Sequence, residues 1–315
     1  MMREKKIINA ISIVGLVLGL GLAACSAQVE TPEKQDDAVE KPERKSSLLG
    51  LAAKMVMGKK GGDKLFYAPM KGKGRTPDQY GIAYEDVFFK SADKTKLHGW
   101  FIPAKKGVKK AKGTIVFSHG NAGTVSYHLG FVDGMIANGY NVFLYDYRGF
   151  GQSEGTVQKE GIIADAVAAF RYIKTRKDVN QEKIISVSHS LGGAKSIAAL
   201  VEFHPKGLCG IVVMSTFSSY RKMALKMAGN AANYVVSDSY SPVDMVKKLP
   251  KVPFLVMHGE NDRLIPSEHA DDIFNAANQP KTLMKFKQGG HNDLLAVNQH
   301  ANEKKLLKWL DNVIK

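Results

Sequence analysis

Cysteine is nearly absent: the chain has two, Cys25 and Cys209. That count excludes a disulfide-stapled scaffold and a cysteine-rich zinc module. No Cys/His cluster at ligand spacing, no His-Glu-x-x-His and no Walker-type phosphate loop occurs, so neither a metal nor a cofactor is expected. Gly149-Phe150-Gly151 imitates the opening of a dinucleotide fingerprint, but Gly155 is wrongly spaced and no helical pattern opens there. Negative charge is also scarce, since 45 Lys and Arg face 30 Asp and Glu, for a formal net charge of +15. Basic and aromatic residues are not interleaved and no nucleic-acid motif is present, so nucleic acid is not an expected partner. What the chain does have is length and apolar content: 315 residues, 44% hydrophobic, are ample for one large α/β domain with a real core.

The first residues have a separate logic. Arg3, Lys5 and Lys6 precede an apolar run from Ile7 to Ala24, the charged n-region and h-region of a secretion signal. The run ends Leu22-Ala23-Ala24-Cys25-Ser26, which resembles the lipobox of bacterial lipoproteins. The resemblance implies cleavage after residue 24, lipidation of Cys25 and a body held at the bacterial cell envelope, outside the cytoplasm. Several acyl chains hold a protein on a bilayer more firmly than one. The competing reading is an uncleaved apolar anchor with an incidental cysteine. Ser26, rather than an acidic residue, follows the cysteine, which leans the assignment toward the outer membrane. With Cys25 lipidated, Cys209 has no partner in the chain and reads as a buried structural thiol.

Residues 25–47 comprise that cysteine and a polar stretch with Pro32 and Pro42, read as a flexible tether. The residues before Cys25 contribute +2 and the tether −2, so the remainder carries the full +15. A basic body on a lipid leash suits anionic head groups, although a solvated basic surface explains the charge equally well. Leu48, Leu51, Ala52, Met55 and Val56 recur at helical spacing behind Ser47 as N-cap. Such a helix either packs on the body, the commoner case, or lies in the interface.

Residues 48–315 read as one domain. Apolar strand patterns (84–90, 96–103, 113–118, 140–146, 184–187, 208–214, 253–258 and 282–286) alternate with helical ones (127–138, 161–174, 194–203, 267–277 and 301–314). Continuous apolar strands between helices predict a mainly parallel sheet covered on both faces. Ligands of such sheets sit at the carboxyl ends of the strands, and every candidate motif falls there. Residues 218–250, between two core strands, read as a minimal cap. Its methionines either line an acyl slot or pack on the body.

One stretch organises the rest: Lys183-Ile184-Ile185-Ser186-Val187-Ser188-His189-Ser190-Leu191-Gly192-Gly193. Strand, sharp turn and helix with a serine at the apex is the form of a nucleophile elbow, which tolerates only small residues two positions either side of the apex. Here those are Ser188 and Gly192. A serine hydroxyl needs a histidine base and a carboxylate to orient it. Asp262 follows the 253–258 strand and His291 follows the last strand, in the order Ser, Asp, His. Competitors are present. His119 and His258 each precede a glycine at a strand end, where a histidine more often bonds backbone. His269 and His300, with Asp271 and Asp272, fall on helices and read as surface. Asp238 and Asp244 lie in the cap segment and stay open on spacing alone. Ser188 as nucleophile would crowd its own turn with Ser190.

Here the chain resembles the α/β-hydrolase superfamily, over about Leu65 to Ile314. More narrowly, it is similar to small-lidded serine hydrolases with a His-Gly-Asn-Ala-Gly motif, a group related to serine aminopeptidases and ABHD-type enzymes. The matching stretches are His119–Gly123, Tyr145–Gly155, Ser188–Gly192, His258–Pro266 and Gly290-His291. The resemblance implies an α/β-hydrolase fold with Ser190 as nucleophile, Asp262 as orienter and His291 as base. It also implies an oxyanion hole at the backbone N–H groups of Asn121 and Leu191. The family usually has glycine where this chain has Ser188; serine is small enough that the turn is expected to survive, although its Cβ adds strain. Three functions follow: a membrane-anchored hydrolase of carboxylic esters or thioesters, an aminopeptidase or amidase on the same residues, or a non-catalytic lipid- or partner-binding fold. The substrate of the first would be a small acyl ester or thioester. Acyl length and oligomeric state are not encoded legibly.

Overall fold

The computed structural model describes residues 61–315. The signal-like run, Cys25, the polar stretch and the helical pattern after Ser47 lie outside the described residues. Eight strands make one sheet: β1 (Glu85–Lys90), β2 (Lys96–Ile102), β3 (Thr114–Ser118), β4 (Asn141–Asp146), β5 (Ile184–His189), β6 (Leu208–Met214), β7 (Phe254–Gly259) and β8 (Lys281–Phe286). Their spatial order is β8-β7-β6-β5-β3-β4-β2-β1. Only β2 runs against its neighbours; every other pairing is parallel.

The continuous apolar strands have a direct physical origin. All residues of β3, β4, β5 and β7 are buried, because side chains alternate between two covered faces. Phe143 and Tyr145 of β4 join one core with Ile162, Phe170 and Ile197. Val142 and Leu144 join the other, with Met135, Leu306 and Leu310. The first core is roofed by helices α2 (Lys159–Thr175), α3 (Leu191–Glu202) and α5 (Glu268–Ala276); the second by α1 (Asp133–Ala137) and α6 (Val297–Val313). Helix α4 (Tyr220–Ala228) lies in the 218–250 segment.

Two local expectations need correction, those for 127–138 and for Cys209, while the helix expected over 301–314 is present. The helix expected over 127–138 is a 3-10 turn, Val125–Phe131, followed by the short α1. There the ring of His128 turns back to donate to the Thr124 carbonyl at 3.0 Å. The C-terminal helix kinks at its start, where Asn298, Gln299 and His300 have φ of 53°, 52° and 59°. Cys209 is half-buried rather than buried, near the start of β6, with its thiol toward the Glu182 carbonyl at 3.2 Å.

A nucleophile-elbow geometry at the candidate active site

Ser190 stands between β5 and α3 with φ 55° and ψ −124°, backbone that a side chain rarely adopts and that persists only where its surroundings enforce it. Two glycines permit the turn. A Cβ at Gly192 would strike the Ser118 carbonyl oxygen, and one at Gly193 would strike the Thr216 hydroxyl. The β3–β5 register pairs Ser118 with Ser188, which brings the His119–Gly123 loop beside the elbow. Ser188 does not take a positive φ. It is fully buried and its hydroxyl donates to the Val212 carbonyl at 3.0 Å. The Ser196 hydroxyl donates to it in turn at 3.0 Å. The serine is thus bonded into the base of the elbow, and the expected strain does not arise at its backbone.

The three turns meet. His291 Nδ1 lies 2.8 Å from Asp262 Oδ2, and His291 Nε2 lies 2.9 Å from Ser190 Oγ. A carboxylate only accepts, so Nδ1 carries the proton and Nε2 is left to accept from the serine hydroxyl. Asp262 also accepts the N–H groups of Leu264 and Ile265, at 3.0 and 2.8 Å. Burial alone would raise its carboxyl, but the hydrogen bonds from His258 and His291 hold it well below the usual carboxylate range. Ser190 and Asp262 are 6% and 5% exposed, so the row is nearly dry, while the His291 ring keeps 10% exposure as its opening to solvent.

The competitors resolve into supports. His258 Nε2 donates to the Ile265 carbonyl at 2.8 Å and lies 3.3 Å from Asp262 Oδ2. His119 Nδ1 donates to the Gly120 carbonyl at 2.9 Å, and His128 Nε2 accepts the Gly120 N–H at 3.3 Å. Gly120 is therefore clamped on both sides immediately before Asn121. The Asn121 carbonyl accepts from Ala68 N at 2.8 Å, where residues 68–69 pair with 122–123. Leu191 opens α3, so its N–H has no acceptor within the helix. His269 is a correction: it is 2% exposed, and its Nδ1 accepts the Ser218 N–H at 3.1 Å. Burial pushes it down to about 4. His300 is exposed beside Glu303. Asp271 and Asp272 pair with Lys285 and Lys222. Asp238 braces the cap through Ser219, Ser241 and Arg221 N, and the Asp244 carboxylate pairs with Lys247.

One support escapes sequence reasoning. His189 sits in the elbow, its Nε2 donating to the His291 carbonyl at 2.8 Å, its ring centroid 4.9 Å from that of His291. Adjacency to Ser190 is the only trace of this in the sequence. The cap cluster packs Phe66, Phe217, Tyr220 and Met223 against Leu191 and Ala194. Met223 is therefore core, whereas Met227 is 53% exposed. Among the described residues no group of His, Cys, Asp and Glu is arranged to hold a metal ion.

Comparison with known proteins places this geometry. Residues 109–242 match the family model for serine aminopeptidase, S33. YfhR, an uncharacterized protein of Escherichia coli K12, is 34% identical over 218 residues, covering 69% of this chain and 76% of its own. The α/β-hydrolase domain-containing protein WAV2 of Arabidopsis thaliana is 33% identical over 255 residues, covering 73% and 81%. Among solved structures, an esterase of Pyrococcus furiosus superposes with a TM-score of 0.67 at 19% identity, covering 79% of this chain and 99% of that one, a likeness of fold. On its relatives, its sheet order and its elbow, the chain belongs to the α/β-hydrolase superfamily.

Proposed function

We propose that the protein is a membrane-anchored serine hydrolase that cleaves carboxylic esters or thioesters through an acyl-enzyme. The observation that carries this is the unbroken row from Asp262 through His291 to Ser190. In this reading Ser190 Oγ attacks the substrate carbonyl carbon while its proton passes to His291 Nε2. Asp262 holds the imidazole in the required tautomer and stabilises the imidazolium. The N–H groups of Leu191 and Asn121 receive the oxyanion, each worth ~3 kcal/mol to the transition state. His291 then returns the proton to the departing alkoxide or thiolate, and water repeats the sequence on the acyl-serine. Anchoring rests on the lipobox-like Leu22-Ala23-Ala24-Cys25; mass analysis of the N-terminal peptide from envelope fractions, with Cys25→Ala as control, tests it.

A second reading has one finding in its favour, the serine aminopeptidase description of the matching family. It needs an acidic group to hold the substrate amine, and none is assigned by the row itself. Turnover of p-nitrophenyl acyl esters, acyl thioesters and aminoacyl p-nitroanilides, measured side by side, decides. Faster kcat/KM on the esters or thioesters is expected; a clear preference for aminoacyl amides transfers the protein to the second reading. No turnover of any class leaves a binding fold.

A further inference from the structure

Eight large hydrophobic side chains are exposed among the described residues, and six of them, Leu65, Met70, Tyr127, Met227, Tyr234 and Leu264, lie on the elements that frame the Ser190 site. Their placement is not scattered. Met70 follows the two-residue strand that pairs with 122–123, and Tyr127 packs on Gly123 of the same loop. Leu264 lies two residues past Asp262, and Lys226 of α4, the neighbour of Met227 in the chain, reaches across to the Arg263 and Leu264 carbonyls at 2.9 and 3.0 Å. Tyr234 belongs to the short cap helix Ala232–Val235, which contacts the Gly61–Phe66 turn bearing Leu65. A soluble surface rarely gathers its exposed apolar groups around one opening without a use for them. The cations Lys64, Lys226 and Arg263 are exposed on the same elements.

We infer that this rim docks onto an anionic lipid surface, with the mouth of the Ser190 site facing the head groups. Two observations select that occupant. The body carries the whole net charge of +15, and apolar tips interleaved with cations suit a head-group layer better than they suit an apolar protein face. The described chain also begins at Gly61–Phe66, within the rim, where Phe66 is buried in the cap cluster. The 60 residues that precede it, including the apolar run Ile7–Ala24 and Cys25, therefore join the body on the face that carries the site. A bilayer holding that segment would meet this face first. The inference shares with the proposed function only its setting at a membrane, and its primary readout, quenching at the rim, does not depend on catalysis.

The test uses the full chain in phosphatidylglycerol-containing vesicles whose acyl chains carry bromine, a short-range quencher of tryptophan. Native Trp100 is fully buried and Trp309 half-buried, so they form a low background. Reporters are Tyr127→Trp and Leu264→Trp on the rim and Lys206→Trp before β6, at the opposite end of the sheet. Quenching at both rim positions of at least twofold, with Lys206→Trp no more quenched than the unsubstituted chain, is the expected result. Adding Met70→Asp and Met227→Asp should cut rim quenching to half or less while turnover of a water-soluble ester is retained. Rim reporters that stay unquenched on chains that sediment with the vesicles would overturn the docking and leave the anchor standing. Equal quenching at all three positions, or a chain that does not sediment with the vesicles, would overturn it as well. Loss of ester turnover with rim quenching intact would count against the hydrolase reading alone.

Discussion

Two of the buried histidine–aspartate contacts around this sheet differ in a way that shows what the Ser190 site requires. Asp262 and His291 meet at 2.8 Å past β7 and β8. Asp146 and His98 meet at 3.4 Å on β4 and β2. In the first pair the second ring nitrogen faces a hydroxyl and the ring edge reaches solvent. In the second, the other nitrogen faces Asp86 Oδ1 at 2.6 Å and the Gln152 amide at 3.1 Å, and the ring is 1% exposed. Burial presses His98 toward the neutral form, but the carboxylates of Asp146 and Asp86 outweigh it and raise its pKa. The two carboxylates thereby favour the protonated ring. His98 ties β2 to the strand whose Asp146 also accepts the Val125 N–H behind the Gly120 loop. An imidazole between two carboxylates has no lone pair to offer; one between a carboxylate and a hydroxyl does.

The largest expected effect comes from removing that hydroxyl. Ser190→Ala should lower ester turnover by at least roughly 10⁴-fold with little change in melting temperature, measured on the preferred ester beside the unsubstituted protein. Asp262→Asn should follow at roughly 10⁴-fold, because the amide no longer fixes the tautomer that leaves Nε2 free to accept. The matched change in the other pair should invert the pattern. His98→Ala leaves the buried Asp146 carboxylate unpaired and should destabilise the fold by roughly 3 kcal/mol, read by urea unfolding, while kcat stays within about tenfold. A fall in kcat as deep as that of Asp262→Asn would erase the distinction between the pairs.

Acid should separate His98 from a buried histidine without a carboxylate, His128. Burial lowers His128 to about 4, against about 6.5 in an unfolded chain. Between those values the unfolded state binds more protons. The contribution of His128 is therefore complete above about pH 6.5 and is lost as pH falls toward 4, to a total of about 3 kcal/mol. His98 has the opposite sign. Its folded value is raised, so its contribution is present below about 6.5 and is lost as pH rises through the folded value. Urea midpoints from pH 4 to 8 should lose part of their acid-side slope in His128→Asn and part of their alkaline-side slope in His98→Asn. The smallest effect expected is that of Ser188→Gly. It removes the bonds to Val212 and Ser196 and adds backbone freedom, for about 1 kcal/mol of destabilisation, with kcat nearly unchanged.

The sheet was readable because its strands are buried on both faces and so appear as unbroken apolar runs, Thr114–Ser118 and Asn141–Asp146 most plainly. The elbow was readable because its demand is local: small residues at Ser188 and Gly192, fixed by backbone that closes within five positions. Asp262 and His291 were readable as post-strand residues in a set order. What stayed hidden depends on contacts between distant segments. The helical period gives His269 no partner, yet Ser218, 51 positions away, buries it. His189 looks like a spacer beside Ser190, and only the fold brings the His291 carbonyl to it, 102 positions on. Cys209 lies in an apolar run but near the start of its strand, at the N-terminal end of the sheet, and is half-covered there. The rim of the site was the least legible part, since exposed apolar residues such as Met227 and Leu264 look like core until neighbouring elements fail to cover them.

The most direct measurement is peptide-level mapping of a fluorophosphonate adduct on the unsubstituted protein and on His291→Ala and His98→Ala. A single adduct on the Ser190 peptide is expected, nearly absent in His291→Ala and undiminished in folded His98→Ala. An adduct on another serine, or equal labelling of Ser190 without the His291 imidazole, would contradict the row from Asp262 to Ser190 as the reacting device.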